Sequence, residues 1–195
     1  NSMGFGSEDG FFVGLQKTPN NGLSLLLKDS RTDNNLMIFD GDNNTTPLQY
    51  SSTDYQPKSR PWYQPFAQSR QAGWSNIYSN HDSERALTIS SVSPVFQHGA
   101  FLGNVVTDVN LSQISSFLEQ ESHEFSGFSY ILDNKGRLIA NSLRAPIVAQ
   151  NDMRIKAVNS VDPIIAMSGA QLNESLPSSD NISRSFQFEF AGERY

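Results

Sequence analysis

The sequence predicts an α+β fold in two tandem modules, each a mostly antiparallel sheet flanked by helices. Short apolar runs separated by polar turns fill the first third of the chain. After a short helix and two longer strands, a capped helix starting at Asn110 and Leu111 closes the first module. After it the same order of elements starts again, without any repeat at the level of residues. The division falls near residues 118 to 123, giving one module over 1–120 with its connecting helix and a second over 121–195.

Gly10 to Leu15, Leu23 to Leu27 and Leu36 to Phe39 read as strands. The last is closed by the polar turn Asp40-Gly41-Asp42-Asn43-Asn44. Pro61 marks a helix start, because its missing N–H costs nothing at the first helical position. That helix is expected over Pro61 to Ala72, with Gly73 as its stop. Two longer strands follow, Arg85 to Phe96 and Phe101 to Val109, joined by a turn at Gln97-His98-Gly99. Asn110 then caps a helix with Leu111, Ile114 and Leu118 on one face, running to about Glu121.

In the second module Phe125 to Leu132 is a strand and Asp133-Asn134-Lys135-Gly136 a hairpin turn. Arg137 to Asn141 is the return strand. A helical region lies within Met153 to Ser168, with a fresh start at Asp162-Pro163. Ser178 to Arg184 reads as a polar loop. Phe186, Phe188 and Phe190 alternate on a strand, and Ala191-Gly192-Glu193 begins a turn. The chain stops at Tyr195 within a half-hairpin, so the second module is expected to be truncated.

Composition removes several function classes. Hydrophobic residues make up 37% and charged residues only 17%, which describes a globular chain with a wet surface. The net charge is −6 with no basic run, so no nucleic-acid partner is expected. Without cysteine there is no disulfide, no thiolate catalysis and no cysteine metal site. His81, His98 and His123 stand in separate polar segments without ligand spacing, so neither a metal nor a cofactor is expected. Ser90, Ser91 and Ser93 lack the Gly-x-Ser-x-Gly elbow, and no enzymatic activity is expected. Asn-x-Ser/Thr triplets at Asn43, Asn44, Asn110, Asn173 and Asn181 reflect an Asn- and Ser-rich composition. No stretch approaches the length of a membrane span, and no signal peptide opens the chain.

The informative segment lies between Tyr55 and Tyr78. It holds Arg60, two tryptophans and three tyrosines. Arg60 can fork onto a carboxylate with two parallel hydrogen bonds. Its positive charge at a helix start opposes the helix dipole, so helix stability does not explain it. Trp62 and the tyrosines offer flat apolar walls with one polar tip each. Adjacent residues on a helix point about 100° apart, so Trp62 is expected to face a ligand while Tyr63 is as well suited to the core. Trp74 is expected in the core. Asp108 ends a strand just before Asn110, and a lone buried carboxylate demands a cationic partner.

The run Asp54-Tyr55-Gln56-Pro57-Lys58-Ser59-Arg60-Pro61-Trp62-Tyr63 resembles the signature of double Cache domains. Trp74-Ser75-Asn76-Ile77-Tyr78, Ser93-Pro94-Val95-Phe96 and Phe101-Leu102-Gly103 continue the likeness in order, and so does Tyr130 to Ala140. These are extracytoplasmic sensors of bacterial chemoreceptors, sensor kinases and diguanylate cyclases. The resemblance implies two PAS-like Cache modules strung on a long N-terminal helix, so the chain looks clipped at both ends. It implies a small-molecule ligand in the distal module, most often a free amino acid. Membrane anchoring through segments outside this chain, a periplasmic location and a homodimeric receptor are also implied. Carried over by position, Tyr55, Arg60, Trp62, Tyr63, Tyr78 and Asp108 match the ligand-binding pattern. Asn80 stands where amino-acid binders carry an aspartate, which removes a charge from the ammonium half of the site; Asp82 lies two residues further on. A simple carboxylate, a polyamine or a purine derivative is the alternative ligand on the same fold. A soluble binding protein or a hydrolase using Asp108 as base are the alternatives of other classes.

Overall fold

A nine-stranded antiparallel sheet makes the first unit of the computed structural model, which describes residues 2–18, 20, 22–40, 47–52, 55–80, 86–122, 124, 127–149, 153–173, 189–190 and 192–194. Its strands are β1 (Ser2–Ser7), β2 (Phe12–Lys17), β3 (Leu23–Lys28), β4 (Leu36–Asp40), β5 (Pro47–Ser52), β6 (Gly73–Trp74), β7 (Tyr78–Ser79), β8 (Leu87–Gln97) and β9 (Ala100–Asn110), with helix α1 (Gln64–Ser69) between β5 and β6. The spatial order is β5-β4-β3-β2-β1-β9-β8-β6, and β7 also pairs with β8. Strands β8 and β9 close a two-residue hairpin at His98 and Gly99, both at positive φ (50° and 84°), as a primed turn requires.

Strand β1 is absent from the sequence-based expectation. Ser2-Met3-Gly4-Phe5-Gly6-Ser7 carries two glycines, a residue that disfavours strands. The reason for the glycines is tertiary. A Cβ at Gly6 would lie 2.7 Å from the Trp62 ring, and one at Gly4 2.7 Å from the Phe12 ring. Two aromatic rings therefore press against bare backbone at the centre of the sheet. Phe12, Leu36, Tyr55, Trp62, Tyr63, Phe66, Val92 and Val106 form the core on this face.

The helix expected over Pro61 to Ala72 is shorter. A 3₁₀ turn spans Pro57–Ser59, and Arg60 caps it with extended backbone (φ −75°, ψ 147°). The residue before a proline avoids the α region, so Pro61 interrupts rather than starts the helix. Pro65 takes the helix-start role instead, and Arg70 ends α1 in the left-handed region. Trp74, expected in the core, is 61% exposed, because its position on β6 is opposite the outward-facing Ser91.

The second unit contains α2 (Leu111–Ser122), β10 (Tyr130–Leu132), β11 (Leu138–Asn141), α3 (Pro163–Asn173), β12 (Glu189–Phe190) and β13 (Glu193–Arg194). The two units divide at Asn110 and Leu111, so α2 groups with the second unit, where it packs on β11. Leu138, Ala157 and Ile165 are its buried centre. Asp133 organises the β10–β11 turn by accepting from the Lys135 and Arg137 N–H groups and pairing with Arg137 and Arg154. Helix α3 begins at Pro163 with Asp162 as its cap, accepting from the Ile164 and Ile165 N–H groups. Residues 153 to 156 are extended rather than helical, bridging Val148 and Arg137. The expected loop at 178–184, Phe186, Phe188 and the turn at 41–44 lie outside the described residues.

Candidate functional site

Strand register builds the site. Ser2 on β1 and Ser90 on β8 are both direct partners of Asp108 on β9. Directly opposed residues share a face, so the three side chains converge. Asp108 Oδ2 accepts from the Ser2 hydroxyl at 2.7 Å, and Oδ1 accepts from Ser90 Oγ at 2.6 Å and Tyr78 OH at 3.3 Å. The Tyr78 and Ser90 hydroxyls are also bonded to each other at 2.8 Å. Tyr78 reaches this cluster because β7 pairs it with Thr88, two residues before Ser90 and on the same face.

Arg60 meets Tyr78 at its ring. Its guanidinium carbon is 5.6 Å from the Tyr78 ring centroid, and Nη2 donates to the Ser79 carbonyl at 3.3 Å. Among the described residues this long hydrogen bond is the one the guanidinium makes, and it engages only part of the fork. Asn80 follows, and its N–H donates to the Ala86 carbonyl at 2.9 Å, continuing the β7–β8 pairing. Residues 81–85, including His81 and Asp82, are outside the described part.

Tyr55 is 6% exposed and packs edge-on against Phe12, with centroids 5.5 Å apart. Burial pushes its hydroxyl well above the ordinary tyrosine range; Arg60 works against the rise, and Asp108 and Tyr78 add to it. The Tyr78 hydroxyl is raised in the same way, first by burial and then by the Asp108 charge. Tyr55, Arg60, Tyr78 and Asp108 thus lie within one another's electrostatic reach. Both phenols stay protonated at any physiological pH and act as hydrogen-bond donors.

Trp62 and Tyr63 take other places. Trp62 is 3% exposed and lies over Gly6. It holds a wall of the site from within the core rather than presenting its face to the open side. Tyr63 turns away, with its hydroxyl in the field of Glu8, Arg70 and Asp9. The fully buried Asn104 pins this segment by donating Nδ2 to the Tyr63 carbonyl at 3.1 Å. The site therefore brings together Tyr55, Arg60, Tyr78 and Asp108, with Trp62 behind them and Tyr63 apart. Sequence reasoning missed Ser2, because β1 was not recognised, and weighed Ser90 only as a nucleophile. Its place two residues before the apolar Val92, on the same face of the strand, was the available signal.

Among the described residues no group of His, Cys, Asp or Glu is arranged to hold a metal, and no helix is long and apolar enough to cross a membrane.

A curated relative, the methyl-accepting chemotaxis protein McpC of Bacillus subtilis, is 28% identical over 98 residues, covering 50% of this chain and 15% of McpC. The ligand-binding domain of the Pseudomonas aeruginosa amino acid chemoreceptor PctB, solved with L-Arg, is similar over 80% of this chain and 47% of that one, with 17% identity and a TM-score of 0.48. That of the Pseudomonas fluorescens chemoreceptor CtaA, solved with L-valine, is similar over 81% and 54%, with 13% identity and a TM-score of 0.49. Residues 12–116, more than half of the chain, match the sequence profile described as the methyl-accepting chemotaxis protein-like, first PDC sensor domain. The chain belongs to this family of ligand-sensing domains.

Proposed function

We propose that the first unit binds a free amino acid and that a transmembrane bacterial receptor reads the binding. The observation that supports this most directly is one charge of each sign against Tyr78, at its ring and at its hydroxyl. Arg60 lies 5.6 Å from its ring and Asp108 3.3 Å from its hydroxyl. A zwitterion needs both charges. Arg60 takes the carboxylate with its fork, and Asp108 takes the ammonium group. Asn80 adds a neutral acceptor beside it. Tyr55 and Tyr78 exclude water, so these contacts act at low dielectric. Trp62 and Tyr63 serve by fixing the segment that carries Arg60.

The domain binds and performs no chemistry of its own. The chain is read as two tandem modules, 1–120 with the connecting helix and 121–195, on the periplasmic side of the inner membrane. Anchoring helices, a homodimeric assembly and a methyl-accepting, kinase or cyclase output belong to the rest of the receptor. Ligand shifts the receptor only by its differential affinity for the two signalling states. Asn80, lacking charge, supports a second reading in which a simple organic acid is the ligand.

A thermal-shift screen of the twenty amino acids and common organic acids tests the proposal. At 100 times its dissociation constant a ligand adds about 2.7 kcal/mol to stability, or roughly 5 to 10 °C in melting temperature for a chain of this size. If no amino acid moves the transition, the reading fails.

A further inference from the structure

We infer that Gln16 selects the ligand's side chain and sets a preference for amino acids bearing an amide or hydroxyl over aliphatic ones. The inference rests on the amino-acid reading above and specifies what that reading leaves open. Its basis is a row of cross-strand partners. Ser90 pairs with Asp108, Asp108 with Ser2, Ser2 with Gln16, and Gln16 with Ser24. Every member of such a row points to the same face. The hydrogen bonds from Ser90 and Ser2 to Asp108 confirm that face at its start. The row runs polar from end to end. The next row inward is Val92, Val106, Gly4, Gly14 and Leu26, so the polar row marks the boundary of the core.

The row has a direction relative to the two charges. Arg60 and Tyr78 stand at the β7 side, Asp108 comes next, and Ser2 and Gln16 continue away from Arg60. A ligand with its carboxylate on Arg60 and its ammonium on Asp108 has two ways to send its side chain, and the way leading onward across the sheet ends at Gln16. Two strand spacings separate Asp108 from Gln16, about 10 Å between Cα atoms. The combined reach of the glutamine side chain and a short ligand side chain covers that distance. Gln16 is half-buried, and among the described residues no hydrogen bond engages its amide. An amide offers two donors and one acceptor. A ligand amide or hydroxyl satisfies them, whereas a methyl group takes away their water and gives nothing back. The position adds no charge, so neutral polar side chains are favoured over acidic ones, which Asp108 also repels.

Calorimetric titration of the 195-residue chain with L-glutamine, L-asparagine, L-leucine and L-isoleucine reads the preference directly. The expected result is about tenfold or greater preference for the amides. Gln16→Leu should bring the ratio of glutamine to leucine affinity close to one. Gln16→Glu, of the same shape, should instead raise arginine and lysine relative to glutamine by a similar factor. The second variant decides the matter should the first lower the melting temperature. An Arg60→Ala control separates this inference from its parent. If Arg60→Ala weakens every ligand but neither Gln16 variant moves any ratio, the selector role falls and the amino-acid reading stands. A wild-type preference for leucine overturns the selector role in the same way. If no amino acid binds the wild-type chain, both readings fall.

Discussion

Replacing Arg60 with alanine separates a ligand clamp from a structural arginine, because the two roles predict opposite effects on affinity and folding. Among the described residues the guanidinium makes one hydrogen bond, to the Ser79 carbonyl at 3.3 Å, and a ring contact with Tyr78 at 5.6 Å. The bond is long, and the arginine is only partly buried. A weak hydrogen bond of this kind contributes at most about 1 kcal/mol, and a partly solvated cation–π contact about 0.5 to 1 kcal/mol. Arg60→Ala should therefore leave the fold intact, at a cost near 1 kcal/mol. The effect on binding is larger. A ligand carboxylate buried without its charged partner costs about 2 to 5 kcal/mol, roughly thirty- to several thousand-fold in affinity. Arg60→Lys keeps the charge but not the fork, so it should fall between wild type and alanine. Urea unfolding followed by calorimetry on the same preparations measures both quantities. Unchanged affinity in a folded Arg60→Ala protein removes Arg60 from the site, and loss of folding returns it to a structural role.

Three further outcomes are expected. Asp108→Asn should weaken an amino acid far more than its deaminated analogue; improved binding after the exchange would mean that the ligand carries only a carboxylate. Gly6→Ala should cost about 1 to 3 kcal/mol in urea denaturation, because its Cβ would lie 2.7 Å from the Trp62 ring, within the core rather than at a flexible tip; a neutral effect would show that Trp62 is loosely held. In the second unit, burial works to raise the Asp133 carboxyl, but the Arg137 and Lys135 hydrogen bonds and the Arg154 charge outweigh it and hold it below its ordinary value. A depressed carboxyl stabilises above its unfolded value of 3.8 and loses that contribution as pH falls through the folded value. The acid sensitivity of this unit's unfolding should shrink in Asp133→Asn, and an unchanged pH profile would remove Asp133 as its cause.

Local rules carried much of this protein in the sequence. The β8–β9 hairpin was legible because a left-handed turn needs His98-Gly99 or its like. Helix α2 was legible from the Asn110 boundary and the apolar stripe of Leu111, Ile114 and Leu118, and α3 from Asp162-Pro163. The charges at Arg60 and Asp108 and the tyrosines at Tyr55 and Tyr78 were legible as a set through their spacing and family pattern. What required the folded chain is long-range. Strand β1 goes unrecognised until Trp62 and Phe12 are seen lying on its glycines and on Gly14. Trp62 is buried and Trp74 exposed because burial depends on which position in the fold a residue meets, and a sequence states only that tryptophan is large and apolar. The same holds for the polar row from Ser90 through Asp108 and Ser2 to Gln16. Its members lie up to 106 residues apart between direct hydrogen-bond partners, and only strand register, fixed by the whole sheet, puts them on one face.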